Sequence, residues 1–314
     1  MRRGGARTAA GASALVAVAL TGLLMAGCSG NAGRPPPPEN PRRPPIRVVS
    51  FDFPESEILV EIYGQALRRQ GYPVEIVPRL GPREIVQPAL EQGKVDFVPG
   101  YLGSGLNFLS EQRTATADPR VVHARLQQAL AARGLSALAF APAQDRNGFV
   151  VTGDMARTRK LRRLSDLRPI ASQLVLGGPP ECPDRPLCLG GLRDVYGLKF
   201  KRFQPMPSRT ITADALEAGE IDVGMLDTTD GNLAERDLVQ LEDDRRLQPA
   251  ENIVPIVRKE IIVAYGSALV SLVNAVTAQI TTRGLVDMNR RVELDGAEPA
   301  AVAADWLRNH PVNR

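Results

Sequence analysis

The chain has 314 residues, more than a single hydrophobic core usually serves, so two folded units or one large one are expected and one small domain is excluded. With 43% hydrophobic and 24% charged residues it can bury cores, which excludes a wholly disordered or multi-span membrane protein. The formal charge is +4, but six of the 39 basic and one of the 35 acidic residues precede Ile46; the remaining body has 33 basic and 34 acidic residues, without the basic surplus a nucleic-acid binder needs.

Arg2, Arg3 and Arg7 precede an apolar run, Ala14 to Met25, that ends in small residues before Cys28. This is the pattern of a cleaved secretory signal, residues 1–27, and the run is too short to span a bilayer permanently. Met25-Ala26-Gly27-Cys28 resembles the bacterial lipoprotein lipobox. That resemblance implies cleavage after Gly27 and lipidation of Cys28, whose acyl chains would anchor the chain to the extracytoplasmic face of the cell membrane. An ordinary signal with an incidental cysteine is the competing reading. Residues 28–45 follow as a stalk: four consecutive prolines, 35 to 38, with Pro41, Pro44 and Pro45, favour extended polyproline II at roughly 3 Å per residue.

Ile46 to Val49 reads as a strand, Ser56 to Arg69 as a helix with apolar residues at helical spacing, and Gly71 as its stop. A strand at Val74 to Val77, a helix at Arg83 to Leu90 and a strand at Val95 to Val98 follow. Val121 to Ala132 is predicted helical, and Leu138 to Ala141 with Gly148 to Thr152 form strands crossing to a second lobe. There the order recurs: strands at Leu174 to Leu176, Phe200 to Phe203 and Ile221 to Met225, and a helix at Ile211 to Leu216. Ile253 to Val257 makes the return crossing, and helices at Ile261 to Tyr265, Ala268 to Thr281 and Pro299 to Leu307 rejoin the first lobe.

The recurrence is visible in the letters. Ala89-Leu90-Glu91-Gln92-Gly93-Lys94-Val95-Asp96 aligns with Ala215-Leu216-Glu217-Ala218-Gly219-Glu220-Ile221-Asp222, and at the same offset Pro54-Glu55 meets Pro180-Glu181, Gly71 meets Gly197, Arg83 meets Arg209 and Gly105 meets Gly231. Two related β-α-β-α-β units give two mostly parallel sheets with right-handed crossovers, flanked by helices. Two crossings then make a clamp whose cleft lies between the lobes, beyond the strands' carboxyl ends.

Cys182 and Cys188 remain as an even pair six apart in an oxidising compartment, where a disulfide is expected. A metal site is the alternative, but the two histidines, His123 and His310, are far off in sequence and no CxxC spacing occurs.

Five ordered motifs carry a resemblance: Ser50-Phe51-Asp52-Phe53-Pro54-Glu55-Ser56, Leu80-Gly81-Pro82-Arg83-Glu84-Ile85-Val86, Val98-Pro99-Gly100-Tyr101-Leu102-Gly103-Ser104, Gly177-Gly178-Pro179-Pro180-Glu181 and Thr229-Asp230. From Ile46 to about Leu307 the chain resembles the glycine betaine/choline (osmoprotectant) solute-binding proteins of ABC importers. This implies an α/β, periplasmic-binding-protein-like clamp with lobes 46–147 plus 252–314 and 148–251. It further implies a monomeric, non-enzymatic receptor with no cofactor and no metal, which closes on a quaternary ammonium compound and delivers it to a membrane permease and its ATPase. Such a ligand is held by cation–π contact and nearby carboxylates. The resemblance places Phe51, Asp52, Phe53 and Tyr101 in that cage. Three departures stand out: Gly100 replaces the family's glutamate, Asp227 replaces an aromatic residue two before Thr-Asp, and the Cys182 to Cys188 loop replaces residues that supply aromatics in relatives. Asp52 and Asp227 are expected to hold a cation or hydroxyls, Ser104, Thr228 and Thr229 to add donors, and Arg209 with Arg83 to meet a carboxylate.

Plainer roles compete. Phe51 and Phe53 alternate, so one would face the core. Arg83 and Arg209 start helices and would be surface or ion-paired. Asp96 and Asp222 would close turns; Tyr63, Tyr72, Tyr196 and Trp306 would pack. Two further functions share the clamp: binding of a different polar solute for uptake or sensing, and an enzyme using Asp52 and Asp227 as an acid/base pair, for which no nucleophile, metal or phosphate-loop motif is present.

Overall fold

The computed structural model describes residues 43–110 and 115–312. The expected signal peptide, Cys28 and most of the stalk lie outside the described residues.

The chain runs β1 (Ile46–Val49), α1 (Pro54–Arg69), β2 (Val74–Val77), α2 (Arg83–Glu91), β3 (Phe97–Tyr101), α3 (Leu102–Leu109), α4 (Pro119–Ala131), β4 (Leu135–Ala137). It continues through β5 (Asn147–Thr152), α5 (Gly153–Arg159), β6 (Val175–Gly178), α6 (Leu189–Tyr196), β7 (Arg202–Pro205), α7 (Arg209–Glu217), β8 (Val223–Asp227), α8 (Asn232–Glu235), β9 (Leu238–Gln240). It ends with β10 (Ile253–Arg258), α9 (Lys259–Tyr265), α10 (Ser267–Thr277), α11 (Thr282–Glu293) and α12 (Pro299–Asn309).

Two five-stranded sheets result, ordered β2-β1-β3-β10-β4 and β7-β6-β8-β5-β9. In each, the three strands of the repeat pair in parallel, and one strand arriving directly from the other sheet, β10 or β5, lies antiparallel to both neighbours. The α/β clamp read from the repeat is therefore the fold, with that antiparallel strand in each sheet as its mixed element. A strand that returns without a crossover helix enters from the opposite end, so it must run against the repeat strands.

Local chemistry explains the elements. α1 carries Pro54 and Glu55 in its first turn and Arg68 and Arg69 in its last, complementing the helix dipole, while Ile58, Leu59, Ile62, Tyr63, Ala66 and Leu67 are buried. Asp96 does more than close a turn: it accepts from the Arg47 backbone N–H at 3.0 Å and pairs with Arg47 and Arg258 at 2.8 and 3.1 Å, and these cations hold its carboxyl below the usual range despite burial. Its repeat mate Asp222 accepts from the Val175 N–H at 2.7 Å, so both ties run to the first strand of the repeat. Tyr63, Tyr196 and Trp306 sit in the cores, and Tyr72 packs on Tyr265.

Two expectations fail. The first crossing strand is not at Leu138 to Ala141: β4 stops at Ala137, and the next stretch keeps two backbone bonds to β10, Leu138 N–H to Pro255 and Ala141 N–H to Ile253, before Pro142, which has no N–H to offer. The helix expected to run from Ala268 to Thr281 ends at Thr277, and Thr281 caps a separate helix, α11, by accepting from the Gly284 N–H. α11 buries Leu285, Met288 and Asn289, and Gly231 of the second lobe approaches it so closely that a Cβ there would lie 2.6 Å from the Arg290 Cα.

Candidate functional site

The loop leaving β1 is pinned by two serines: Ser56 Oγ accepts from the Phe51 N–H at 2.9 Å and Ser50 Oγ from the Arg79 N–H at 2.7 Å. This sets Phe51, Asp52 and Phe53 along one side of a cavity of about 380 Å³. Tyr101, the last residue of β3, stands beside them. The Phe51 and Phe53 rings are stacked with centroids 5.9 Å apart, and Phe53 and Tyr101 are 6.0 Å apart. Phe51 is buried in the core of the first lobe and Phe53 is half-buried, as alternation predicts for one of the two, and both also line the cavity.

Arg83 lines the same wall, its guanidinium 4.9 Å from the Phe51 centroid and donating to Ser104 Oγ at 3.0 Å. Polar side chains complete the lining: Asp145, Arg146, Asn147, Asp227, Gln248 and Glu251. Gln248 donates to the Leu187 carbonyl at 2.7 Å, which brings the paired Cys182 to Cys188 loop, Cα atoms 5.3 Å apart, into the cavity wall through Leu187.

Carboxylates surround the cavity. Glu251 accepts from the backbone N–H groups of Ser104 and Gly103 at the start of α3, yet burial pushes its carboxyl up to about 7. Gly103 permits this approach, since a Cβ there would lie 2.8 Å from Glu251 Oε1. Burial, reinforced by the nearby carboxylates Glu55 and Asp227, raises Asp145 well above the ordinary range. Asp145 Oδ1 and Glu251 Oε2 are buried without a hydrogen-bond partner among the described residues. Such atoms favour a protonated carboxyl or a cation brought into the site.

Seven of the residues singled out in the sequence line the cavity: Phe51, Asp52, Phe53, Arg83, Tyr101, Ser104 and Asp227. Three are placed elsewhere. Arg209 is not free for a ligand carboxylate, because it holds Asp227 in a two-toothed ion pair, both distances 2.9 Å. Thr228 accepts from the Arg146 N–H and donates to the Gln144 carbonyl, fastening the crossing segment. Thr229 is buried, its carbonyl accepting from Asn289 at 2.8 Å. No group of His, Cys, Asp and Glu suited to a metal occurs among the described residues.

Residues 44–309 match the model of the substrate-binding domain of ABC-type glycine betaine transport systems. The chain belongs to this family. Its work is therefore that of a solute-binding component which operates with a permease and an ATPase, and not that of an enzyme. The chain is 29% identical over 279 residues to the glycine-betaine-binding protein of Pseudomonas aeruginosa, covering 84% of this chain and 88% of that one. It is 26% identical to the glycine betaine-binding protein YehZ of Escherichia coli, covering 84% and 90%. A solved structure of a glycine betaine/carnitine/choline ABC transporter shares the fold, with a TM-score of 0.79, 24% identity and 84% and 98% coverage.

Within this glycine betaine-type domain, the residues that sequence reasoning passed over include, besides Arg146, Asn147 and Gln248, the acids Asp145 and Glu251, one on each crossing segment. Their backbones are joined, the Asp145 N–H donating to the Glu251 carbonyl at 3.1 Å. The available signal was an acidic residue in each short link between the repeats.

Proposed function

We propose that the cavity receives a quaternary ammonium solute, with glycine betaine and choline as the reference chemistries. The observation that carries this reading is that three aromatic rings, Phe51, Phe53 and Tyr101, line one cavity of about 380 Å³ together with Asp145 and Glu251. A methylated ammonium has no N–H, so ring faces and unpaired carboxylates are what can hold it. Asp52 adds charge, and Arg83 and Gln248 are donors for the solute's carboxylate or hydroxyl. The glycine betaine binding named for both relatives supports the same class.

In this reading the chain acts as a monomer, tethered through lipid on Cys28 to the extracytoplasmic face, with lobes 46–147 plus 252–314 and 148–251 closing on the solute before it passes to the permease. The test is calorimetric titration of the full chain in detergent with glycine betaine, choline, carnitine, proline betaine and a polyol series. Saturable binding of a quaternary ammonium compound recovered unchanged is expected. Binding of polyols alone would overturn the ligand class, and conversion of the solute would overturn the receptor role.

A further inference from the structure

A second cavity, of about 700 Å³, lies on the other side of the first crossing. Arg146 and Asn147 line both. Four arginines reach it from separate segments: Arg120 at the start of α4, Arg146 on the crossing, Arg162 after α5 and Arg246 before β10. Three acids also line it, and each is already engaged. Asp118 caps α4 by accepting from the Arg120 and Val121 N–H groups, Glu242 pairs with Arg163 at 3.3 Å, and Asp243 accepts from the Tyr196 hydroxyl and the Leu247 and Gln248 N–H groups.

The four guanidinium groups, by contrast, have no ion-pair partner among the described residues. Arg146 is the most constrained. Its backbone is clamped in both directions by Thr228, at 2.9 and 2.8 Å, and its Nε is buried with no hydrogen-bond partner. A buried donor left unmade is costly unless a ligand completes it. Arg246 is held in the left-handed backbone region, φ 56°, a conformation that the Asp243 turn enforces.

We propose that this cavity is a site for a small oxyanion carrying two or more charges, held by guanidinium forks. Planar forks match the oxygen pairs of phosphate and carboxylate groups, and several of them around one cavity favour multivalent over monovalent anions. Arg120 belongs to the lobe of the first sheet, and Arg162 and Arg246 to that of the second. An anion contacting both sides therefore links the lobes beside the solute cavity. This site is independent of which solute the first cavity takes.

Inorganic pyrophosphate is the probe, titrated into the full chain in detergent at fixed ionic strength, with chloride as the monovalent control and phosphatidylglycerol vesicles as a separate arm. Saturable pyrophosphate binding is expected, weakened at least tenfold in the double variant Arg162→Ala/Arg246→Ala and also in Arg120→Ala. All three arginines are exposed, so thermal midpoints without pyrophosphate should match the wild type, and the rise in midpoint that pyrophosphate gives should be lost. Absence of saturation, equal displacement by chloride, affinity unchanged in the double variant, or binding to vesicles but not pyrophosphate would each overturn the site. An unaffected Arg120→Ala would overturn the link between lobes. Glycine betaine titration of the double variant, expected unchanged, separates this result from the fate of the first cavity.

Discussion

Tyr101 and Glu55 meet behind the aromatic wall, the phenol donating to Glu55 Oε1 at 2.7 Å. The other oxygen of that carboxyl accepts from Asn289 at 2.8 Å, and the same amide donates to the Thr229 carbonyl at 2.8 Å. One fully buried carboxyl thus fixes a ring of the solute cavity and ties α1 to α11 and to the second lobe. Burial raises Glu55 above its ordinary value, opposed by the hydrogen bonds of Thr229, Tyr101 and Asn289.

The two halves of Tyr101 can be separated by substitution. Tyr101→Ala removes a ring from the wall and should weaken quaternary ammonium binding at least about tenfold, since a desolvated cation–π contact contributes on the order of 1–2 kcal/mol. Tyr101→Phe keeps the ring and should bind nearly as well, while losing about 1 kcal/mol of folding stability with the Glu55 bond. Calorimetry and urea unfolding give the two readouts; equal affinity for Tyr101→Ala and wild type would remove Tyr101 from the site.

Asn289→Ala should lower stability by about 2 kcal/mol, because it leaves the Glu55 carboxyl and the Thr229 carbonyl each short of a donor inside the fold. A urea midpoint unchanged from wild type would contradict the tie.

Solute affinity should depend on pH through Glu251. Its carboxyl titrates at about 7 against an ordinary 4.5, so the folded chain holds a proton that the unfolded chain has released across that window, and this contribution to stability declines as pH rises through it. A bound cation favours the ionised form. Choline binding should therefore release a proton and tighten severalfold between about pH 5.5 and pH 8. Glu251→Gln should flatten that profile; a flat profile in the wild type would refute the coupling.

Cys182 and Cys188 should be joined in the secreted protein. Thiol titration of a Cys28→Ser variant under denaturing conditions should find no free thiol, and Cys182→Ser/Cys188→Ser should cost on the order of 2 kcal/mol in stability. Two free thiols in the first measurement would end the assignment.

The two related lobes were legible because the repeat preserves what a lobe needs internally: apolar strands, a helix stop such as Gly71, and Asp96 and Asp222 at matching positions. Tyr101 and Phe51 were legible because they stand at or just after strand ends. Contacts made across the lobes were less so. Asp145 and Glu251 acquire meaning only when the two crossings lie side by side, and α11, a stretch to which the sequence assigned no element, packs closely on Gly231 of the second lobe. Arg209 was half readable. Its repeat mate Arg83 sits over Phe51, but in the second lobe the position matching Tyr101 is Asp227, so the same arginine is neutralised by an ion pair.

The exchange of single strands between sheets has a consequence for synthesis on the ribosome. All five strands of the second sheet lie in one uninterrupted run, residues 147 to 240, whereas the first sheet lacks β10, which separates β3 from β4, until residues 253–258 emerge. The second lobe should accordingly become protease-resistant first in a nascent chain, while the first, although earlier in sequence, stays unfinished and apolar-exposed for roughly 10 s or more of elongation. Pulse proteolysis of chains stalled once residue 240, and later once residue 258, has cleared the exit tunnel would report this order, and resistance of the first lobe at the earlier stall would reverse it.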